Sequence, residues 1–429
     1  MTGKHDSHPK RLLPRNVLLL LTPRTYRAKA FIAAAERLNL EVVKAIDMQE
    51  ELAEYWDYPL GLPYGRISQA VESIQEYAAK HPIGAIIAVD DSGTLLAAEA
   101  SKVLGLPHNN PKAASAARDK HQMRLLLQRV AVPSPIFELH SFTADMLTEE
   151  FEELSETVRY PCVVKPTSLS GSRGVIRAND KDEFIKALRQ LQGILMRLLP
   201  EDSSWPFLVE EYIPGVEVAY EGILDSGELK TLAIFDKPDP LVGPYFEETI
   251  YITPSRLSED VQDAVKDVAA KASLALGLLH GPVHAELRIN DDGVWLIELA
   301  GRSIGGHCSD VLTFTSSASL EELILRNAFG MEIASFYRED EASGVMMLPI
   351  PESGILKDVQ GCGEAESVPL VEKVEITARI NYSLRQLPEG DSYLGFIFAK
   401  GEKPEEVERA LRIAQEKLSF TISPELTVL

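Results

Sequence analysis

Two apolar runs, residues 284–289 and 294–299, flank Asn290-Asp291-Asp292-Gly293, and each carries a carboxylate that a packed core has no use for. An Asp-Gly turn between apolar segments is a strong short-range hairpin signal. Folded back on itself, the pair of strands brings Glu286 and Glu298 together, and period-two alternation puts His284 on the same face as Glu286. Facing carboxylates repel unless a cation lies between them. An all-oxygen donor set suits Mg²⁺ bridging nucleotide phosphates, with Mn²⁺ as the alternative ion. Glu298, set between Ile297 and Leu299, has no reason to exist as packing. Any fold for this chain must therefore hold an antiparallel hairpin with an acidic, cation-seeking face.

Two earlier segments carry related chemistry. Cys162-Val163-Val164-Lys165-Pro166 ends an apolar strand on a lysine, and an ammonium is costly to bury without a partner. The loop that follows holds Ser168, Ser170, Gly171 and Gly174. Small residues let backbone N–H groups converge on phosphate oxygens, and the lysine adds a full positive charge. The lysine precedes the glycines, so this is not a Walker-type loop, and a hairpin turn with a snorkelling lysine accounts for it equally well. Further on, an apolar strand from Phe207 runs into Glu210 and Glu211, then Tyr212-Ile213-Pro214-Gly215, then Glu217. One carboxylate can accept from an adenine amino group, backbone at the kink can pair with the ring edge, and a second carboxylate can accept from ribose hydroxyls. An ordinary strand–turn–strand with a solvated acidic face is the competing account.

The rest of the chain supplies a frame. Residues 16–110 alternate strand and helix: an apolar run Val17–Leu21, a helix with Phe31, Ala34, Ala35 and Leu38 on one face, a strand over Glu41–Ile46, and another over Ile83–Val89. That rhythm implies a parallel α/β sheet, and without a Rossmann glycine fingerprint a dinucleotide is not its ligand. Asn110-Pro111 starts a second helical region running through Asp119 and Lys120 to Arg129. Ser258 caps a helix with an apolar stripe of Val261, Val265, Val268, Ala272 and Leu276, ended by Gly277. The last hundred residues are strand-rich and close with a strand over Tyr393–Lys400 and a helix opened by Pro404.

Composition narrows the function. The formal charge of −22 over 429 residues, with no Lys/Arg-rich stripe, excludes nucleic acid as a partner. An anionic ligand must then be held by a few cations placed inside a cleft. Three scattered cysteines, Cys162, Cys308 and Cys362, form neither a disulfide framework nor a zinc site and fit a reducing cytoplasm. No segment reaches membrane-spanning length. The His307-Cys308 pair has no metal-ligand partners and reads as packing.

The ordered set of Lys120, Lys165 with its loop, Glu210, Glu217, Glu286, Glu298 and Arg302 resembles the ATP-grasp superfamily over roughly residues 110–310. The resemblance implies a mixed α/β and α+β protein. It would have a disordered tail over 1–15 and a parallel pre-ATP-grasp α/β domain over 16–112. An ATP-grasp domain would occupy 113–330 with a lid near 132–207, followed by a small C-terminal α+β closing domain over 331–429. It also implies ATP and Mg²⁺ as cofactors: Lys120 and Lys165 on phosphates, the 168–174 loop over the triphosphate, Glu210 and the backbone at Ile213 on adenine, and Glu217 on ribose. Glu286 and Glu298 would hold the metal, Arg302 would stabilise the activated acyl group with His284 beside it, and Lys237 is a further cation for the phosphate end. Family members carry asparagine two residues after the second glutamate, whereas this chain has Ala300.

Arg302-Ser303-Ile304-Gly305-Gly306 is similar to the turn of the L-amino-acid ligases, or dipeptide synthetases, whose glycine backbone lines the acyl and amine pockets. The reaction implied is amide formation from a carboxylate and an amine, both small molecules, through an acyl phosphate with release of ADP and phosphate. Glu248, with Glu247, would receive a substrate ammonium, and a mobile solvated loop is the alternative for that segment. A biotin carboxylase-like enzyme and a nucleotide-binding regulator without turnover are the competing functions. Relatives are often homodimers.

Overall fold

The computed structural model of the chain describes residues 14–144, 146, 148–200, 204–390 and 392–425. All but the last two residues of the expected N-terminal tail lie outside the described residues. The chain divides into two compact units, one running up to Pro111 and including Glu321–Ile333, the other Lys112–Leu320 with Ala334–Leu429. Among the described residues no helix is long and apolar enough to cross a membrane.

In the first unit the continuous apolar run becomes β1 (Asn16–Leu21), because a strand buried on both faces has no use for alternation. It pairs in parallel with β2 (Glu41–Ile46) on one side and β4 (Ala85–Ala88) on the other, and β3 (Leu60–Gly61) extends the sheet beyond β2. The helix Ala28–Arg37 buries Phe31, Ala34 and Ala35, the face its periodicity marks. The carboxyl ends of β1 and β4 are tied together where Thr22 and Thr25 donate their hydroxyls to Asp90 at 2.8 and 3.1 Å.

The second unit holds two large sheets. The smaller comprises β5 (Phe137–Phe142), β6 (Cys162–Pro166), β7 (Ile176–Ala178) and β8 (Trp205–Glu211) in the order β5-β8-β6-β7. The amphipathic helix Lys181–Leu198 packs Phe184, Leu188 and Leu191 into the same core as Phe142 and Phe207, whose rings stack at 4.1 Å. The larger sheet is eight-stranded. It begins with β13 (Gly293–Ala300), β12 (Gly281–Asn290), β9 (Val216–Asp225), β10 (Glu228–Lys237) and β11 (Ile250–Thr253), then continues through Ala342–Leu348, Gly395–Gly401 and Val371–Ile376. The strand expected over 393–400 thus starts two residues later.

Helix Glu259–Leu276 covers this sheet with Val265, Val268, Ala272 and Leu276 and stops at Gly277 in the left-handed conformation. Burying each valine or leucine of this stripe contributes roughly 1.5–3 kcal/mol. Ser258 stands at the N-cap position but makes no side-chain cap bond; Glu259 and Asp260 in the first turn complement the helix dipole instead. The helical region expected from Asn110 to Arg129 is broken at Asp119. Pro111–Arg118 ends there, and Asp119, in extended conformation, accepts from the backbone N–H groups of His121 and Gln122 to start Lys120–Arg129. The break puts Lys120 on the first turn of a new helix, with its N–H donating to the Thr167 carbonyl at 2.9 Å.

Candidate active site

The hairpin forms, but with a register a straight two-residue turn would not give. Asn290 pairs with Gly293, Ile289 with Val294, Arg288 with Trp295 and Leu287 with Leu296; then Glu286 pairs with Glu298, leaving Ile297 as an extra residue. Without that bulge Glu286 would face Ile297, and Glu298 would turn to the other side of the sheet. The Ile297 carbonyl does not go unpaired: it accepts from Arg124 Nη2 at 2.6 Å. On the other edge of β12, Arg288, Glu286 and His284 lie opposite Glu217, Ala219 and Glu221 of β9, so one face of three strands carries Glu298, Arg288, Glu286, His284, Glu217 and Glu221.

At one end of this face the cations dominate. Lys120 Nζ lies 3.1 Å from Glu298 and donates to the Leu169 carbonyl at 2.6 Å, at the start of the small-residue loop. Lys165, buried at the end of β6, is 2.6 Å from Glu210 on β8. Arg124, fully buried on the helix that begins at Lys120, donates Nε and Nη2 to the two oxygens of the same Glu210 at 2.8 and 3.2 Å. Burial pushes the Lys165 ammonium down to about 8, with Arg124 and Lys120 adding to the fall against the pull of Glu210. Burial alone would raise Glu298, but Lys120, Lys165 and Arg302 hold it below the usual carboxylate range. Arg124 Nη1 has no hydrogen-bond partner among the described residues. An unmade hydrogen bond on a buried charge costs about 1–3 kcal/mol or more, so Arg124 is not explained by stability alone.

At the other end carboxylates dominate. Lys237, closing β10, lies 2.8 Å from Glu217, 2.7 Å from Glu248 and 3.5 Å from Glu286. Arg288 donates Nε to Glu217 at 2.8 Å and Nη1 to the Ile213 carbonyl at 2.8 Å. Burial would lower the Lys237 pKa, yet the three glutamates raise it well above the usual lysine value. Glu248 is pushed up by burial, with Lys237 opposing and Glu286 reinforcing the shift. His284 stands between two carboxylates, Nδ1 3.5 Å from the fully buried Glu221 and Nε2 3.7 Å from Glu286.

The structure therefore redistributes several expected contacts. Both Glu210 oxygens are engaged by Arg124 and Lys165 and the residue is 3% exposed, so its side chain is not turned to an open adenine edge as the sequence reading expects. Glu217 gives its oxygens to Lys237 and Arg288 rather than standing ready for ribose hydroxyls. Lys237 joins the acidic group instead of Lys120 and Lys165. By contrast, the Glu286 and Glu298 side chains are 24% and 32% exposed, and their oxygen-only chemistry fits a hard divalent cation. Oxygens of Glu217, Glu248 and Glu286 also lie within 4.8 Å of one another, but Lys237 stands among them. Ala300 faces His284 across the pair β12–β13, where family members place an amide.

The turn after β13 is fixed from beneath. Glu221 Oε2 accepts from the Ile304 N–H at 3.0 Å, and Gly306, at φ 60°, passes so close to Met347 that a Cβ would lie 2.6 Å from its sulfur. The Met347 N–H donates to the Thr249 carbonyl at 2.7 Å, so Gly306 rests on the strand beside Glu248. Gly305 is half-buried. The Ser168–Gly174 loop is tied at its far end, where the Gly174 N–H donates to the Pro388 carbonyl and Arg173 Nε to the Glu389 carbonyl, both at 3.0 Å. His307 donates Nδ1–H to Asp310 at 2.8 Å and packs against Phe396, consistent with a structural pair.

Arg124, Glu221 and Arg288 are missing from the sequence reading. Each had a periodic signal: Arg124 is four residues after Lys120 on one helix face, and Glu221 and Arg288 share strand faces with Glu217 and Glu286.

Residues 158–311 match the ATP-grasp domain family, and residues 346–423 match the L-amino acid ligase C-terminal domain 2 family. The stretch that carries Lys165, Glu210, Glu286, Glu298 and Arg302 is thus an ATP-grasp domain. The chain resembles the L-amino-acid ligases. It is 28% identical over 334 residues to an alanine–anticapsin ligase of Bacillus amyloliquefaciens, a match covering 72% of this chain and 68% of that one. Its fold is that of an L-amino acid ligase from Bacillus licheniformis, with a TM-score of 0.76 at 24% identity over 95% and 98% of the two chains. A carboxyaminoimidazole ribonucleotide synthase from Aspergillus clavatus, solved with ATP, shares the fold at a TM-score of 0.69 and 15% identity over 94% and 98%.

Proposed function

We propose that the chain is an ATP-dependent carboxylate–amine ligase acting on an amino acid, forming an amide with release of ADP and phosphate. The observation that carries this is the bulged hairpin. It sets Glu286 opposite Glu298, while Lys120, Lys165 and Arg302 bring positive charge to Glu298. Lys120 and Lys165 take phosphate oxygens, and the 168–174 loop covers the triphosphate. Glu286 and Glu298 hold Mg²⁺, or Mn²⁺, which when bound neutralises the charge that phosphoryl transfer develops.

The acid's carboxylate oxygen attacks the terminal phosphorus, and the bond to ADP breaks. The amine nitrogen then attacks the acyl carbon, the carbon–oxygen bond to phosphate breaks, and the amine loses a proton. Arg302 faces the charge that builds on the acyl oxygen, the placement in which a fixed cation lowers a barrier most. Glu248, at the acidic end of the face, receives an ammonium group of a substrate, and the Gly305-Gly306 backbone lines its pocket.

The test is ATP-dependent phosphate release with a panel of amino acids, singly and in pairs. A ligase releases phosphate fastest with the right acid and amine together and yields one amide per phosphate. Nucleotide binding without turnover across the panel would leave a silent regulator instead.

A further inference from the structure

We infer that Arg124 is a positioning residue with two separable effects: it frees Lys165 for a phosphate, and it holds the β13 bulge that aims Glu298. The inference rests on the nucleotide site of the ligase reading, not on the identity of the acid or amine. The two effects run through different nitrogen contacts of one guanidinium. Nε and Nη2 grip Glu210, the only carboxylate within ion-pair distance of Lys165 among the described residues. Nη2 also holds the carbonyl of Ile297, the residue inserted between Leu296 and Glu298.

Glu210 facing Lys165 alone would form a closed, neutral, buried pair, and a phosphate would have to break it. With Arg124 bidentate on the same carboxylate, the group of Lys165, Glu210 and Arg124 keeps one net positive charge, which a phosphate can meet without an unpaired carboxylate being left behind. The second effect is geometric. The bulge is what turns Glu298 to the face of Glu286, and its carbonyl is held by a side chain. A guanidinium is the one side chain that supplies donors in a fixed plane to a carboxylate and a carbonyl at once.

Three variants separate the effects, read by calorimetric titration of ADP and by spectroscopic titration of Mn²⁺ in the presence of ADP. Arg124→Met should weaken both ligands by about tenfold or more, the scale at which residues behind metal ligands act. Adding Glu210→Gln removes the carboxylate that would capture Lys165, so ADP affinity should recover while Mn²⁺ binding stays weak. Arg124→Lys keeps the charge but not the fork; ADP should bind nearly normally and Mn²⁺ weakly, which keeps the test open if Arg124→Met does not fold. Ligand affinities within about twofold of wild type in Arg124→Lys and Arg124→Met overturn the inference, as does failure of Glu210→Gln to restore ADP binding. A purely structural role would lower thermal stability and shift both affinities together in every variant. If wild-type protein binds ADP but makes no amide, the ligase reading fails while the Arg124 result stands or falls by itself.

Discussion

The two ends of the ionised face are built from the same residue types in opposite proportions. Around Glu210 and Glu298 stand Lys120, Lys165, Arg124 and Arg302; around Lys237 and Arg288 stand Glu217, Glu248 and Glu286, with Glu221 behind His284. The first end lacks negative charge and the second lacks positive charge. A buried surplus of either sign is destabilising until a ligand of the other sign arrives. The contrast therefore assigns an anion to one end and a cation to the other without any knowledge of the ligand. In a protein whose formal charge is −22, the cationic end is also the place where the overall field is locally reversed.

The contrast can be broken from either side. The largest effect is expected at the residue that belongs to both ends through its partner strand. Glu298→Ala should lower turnover about a thousandfold or more, equivalent to about 4 kcal/mol of barrier, and steady-state phosphate release would show it. Unchanged activity there would remove the site assignment. Arg302→Ala should cost about a hundredfold in kcat while ADP affinity moves little, because a cation serving developing charge acts on the transition state.

At the acidic end, Glu248→Gln should raise the KM of one amino-acid substrate about thirtyfold, the loss of about 2 kcal/mol expected for a charge-assisted bond, with the KM for ATP unchanged. A rise in the ATP KM instead would erase the distinction between the ends. The smallest effect is a pH dependence. Burial depresses Lys165 to about 8 in the folded protein, below the 10.5 of a free lysine. Below that value the ammonium is fully formed; above it the proton leaves and ADP affinity should fall, approaching about tenfold per pH unit. Calorimetry between pH 7 and 9 reads it, each figure being about the span needed around that value. Lys165→Arg, which stays charged, should flatten the profile.

Periodicity made the frame legible. Val17–Leu21 reads as a buried parallel strand and is one, and the stripe ending at Leu276 and Gly277 reads as a helix and its stop. The pairing of Glu286 with Glu298 was also visible, from a turn and two apolar runs. What the sequence concealed is how that pairing arises: nothing local marks Ile297 as the extra residue, and the side chain that holds its carbonyl, Arg124, lies 173 positions earlier. The same is true of Glu210 and Glu217. The sequence leaves them as nucleotide acceptors or a solvated acidic face, because whether a carboxylate meets a ligand or an arginine is decided by residues far off in sequence. The break at Asp119 escaped for a simpler reason, since one N-cap inside a helical pattern leaves the periodicity of both halves intact.

The eight-stranded sheet has a consequence for anyone wishing to exchange specificity between relatives. Strand Ala342–Leu348 is hydrogen-bonded to β11 through four residue pairs, from Ile250 with Met346 to Thr253 with Ser343. The last hundred residues are therefore not a module that can be unplugged near residue 331. A chimera joined there would leave an unmatched edge with Val345 and Met346 at the seam, both closed to solvent in the native chain. Grafts confined to the loops that leave the sheet, such as the turn at Gly305 and Gly306, keep that seam whole.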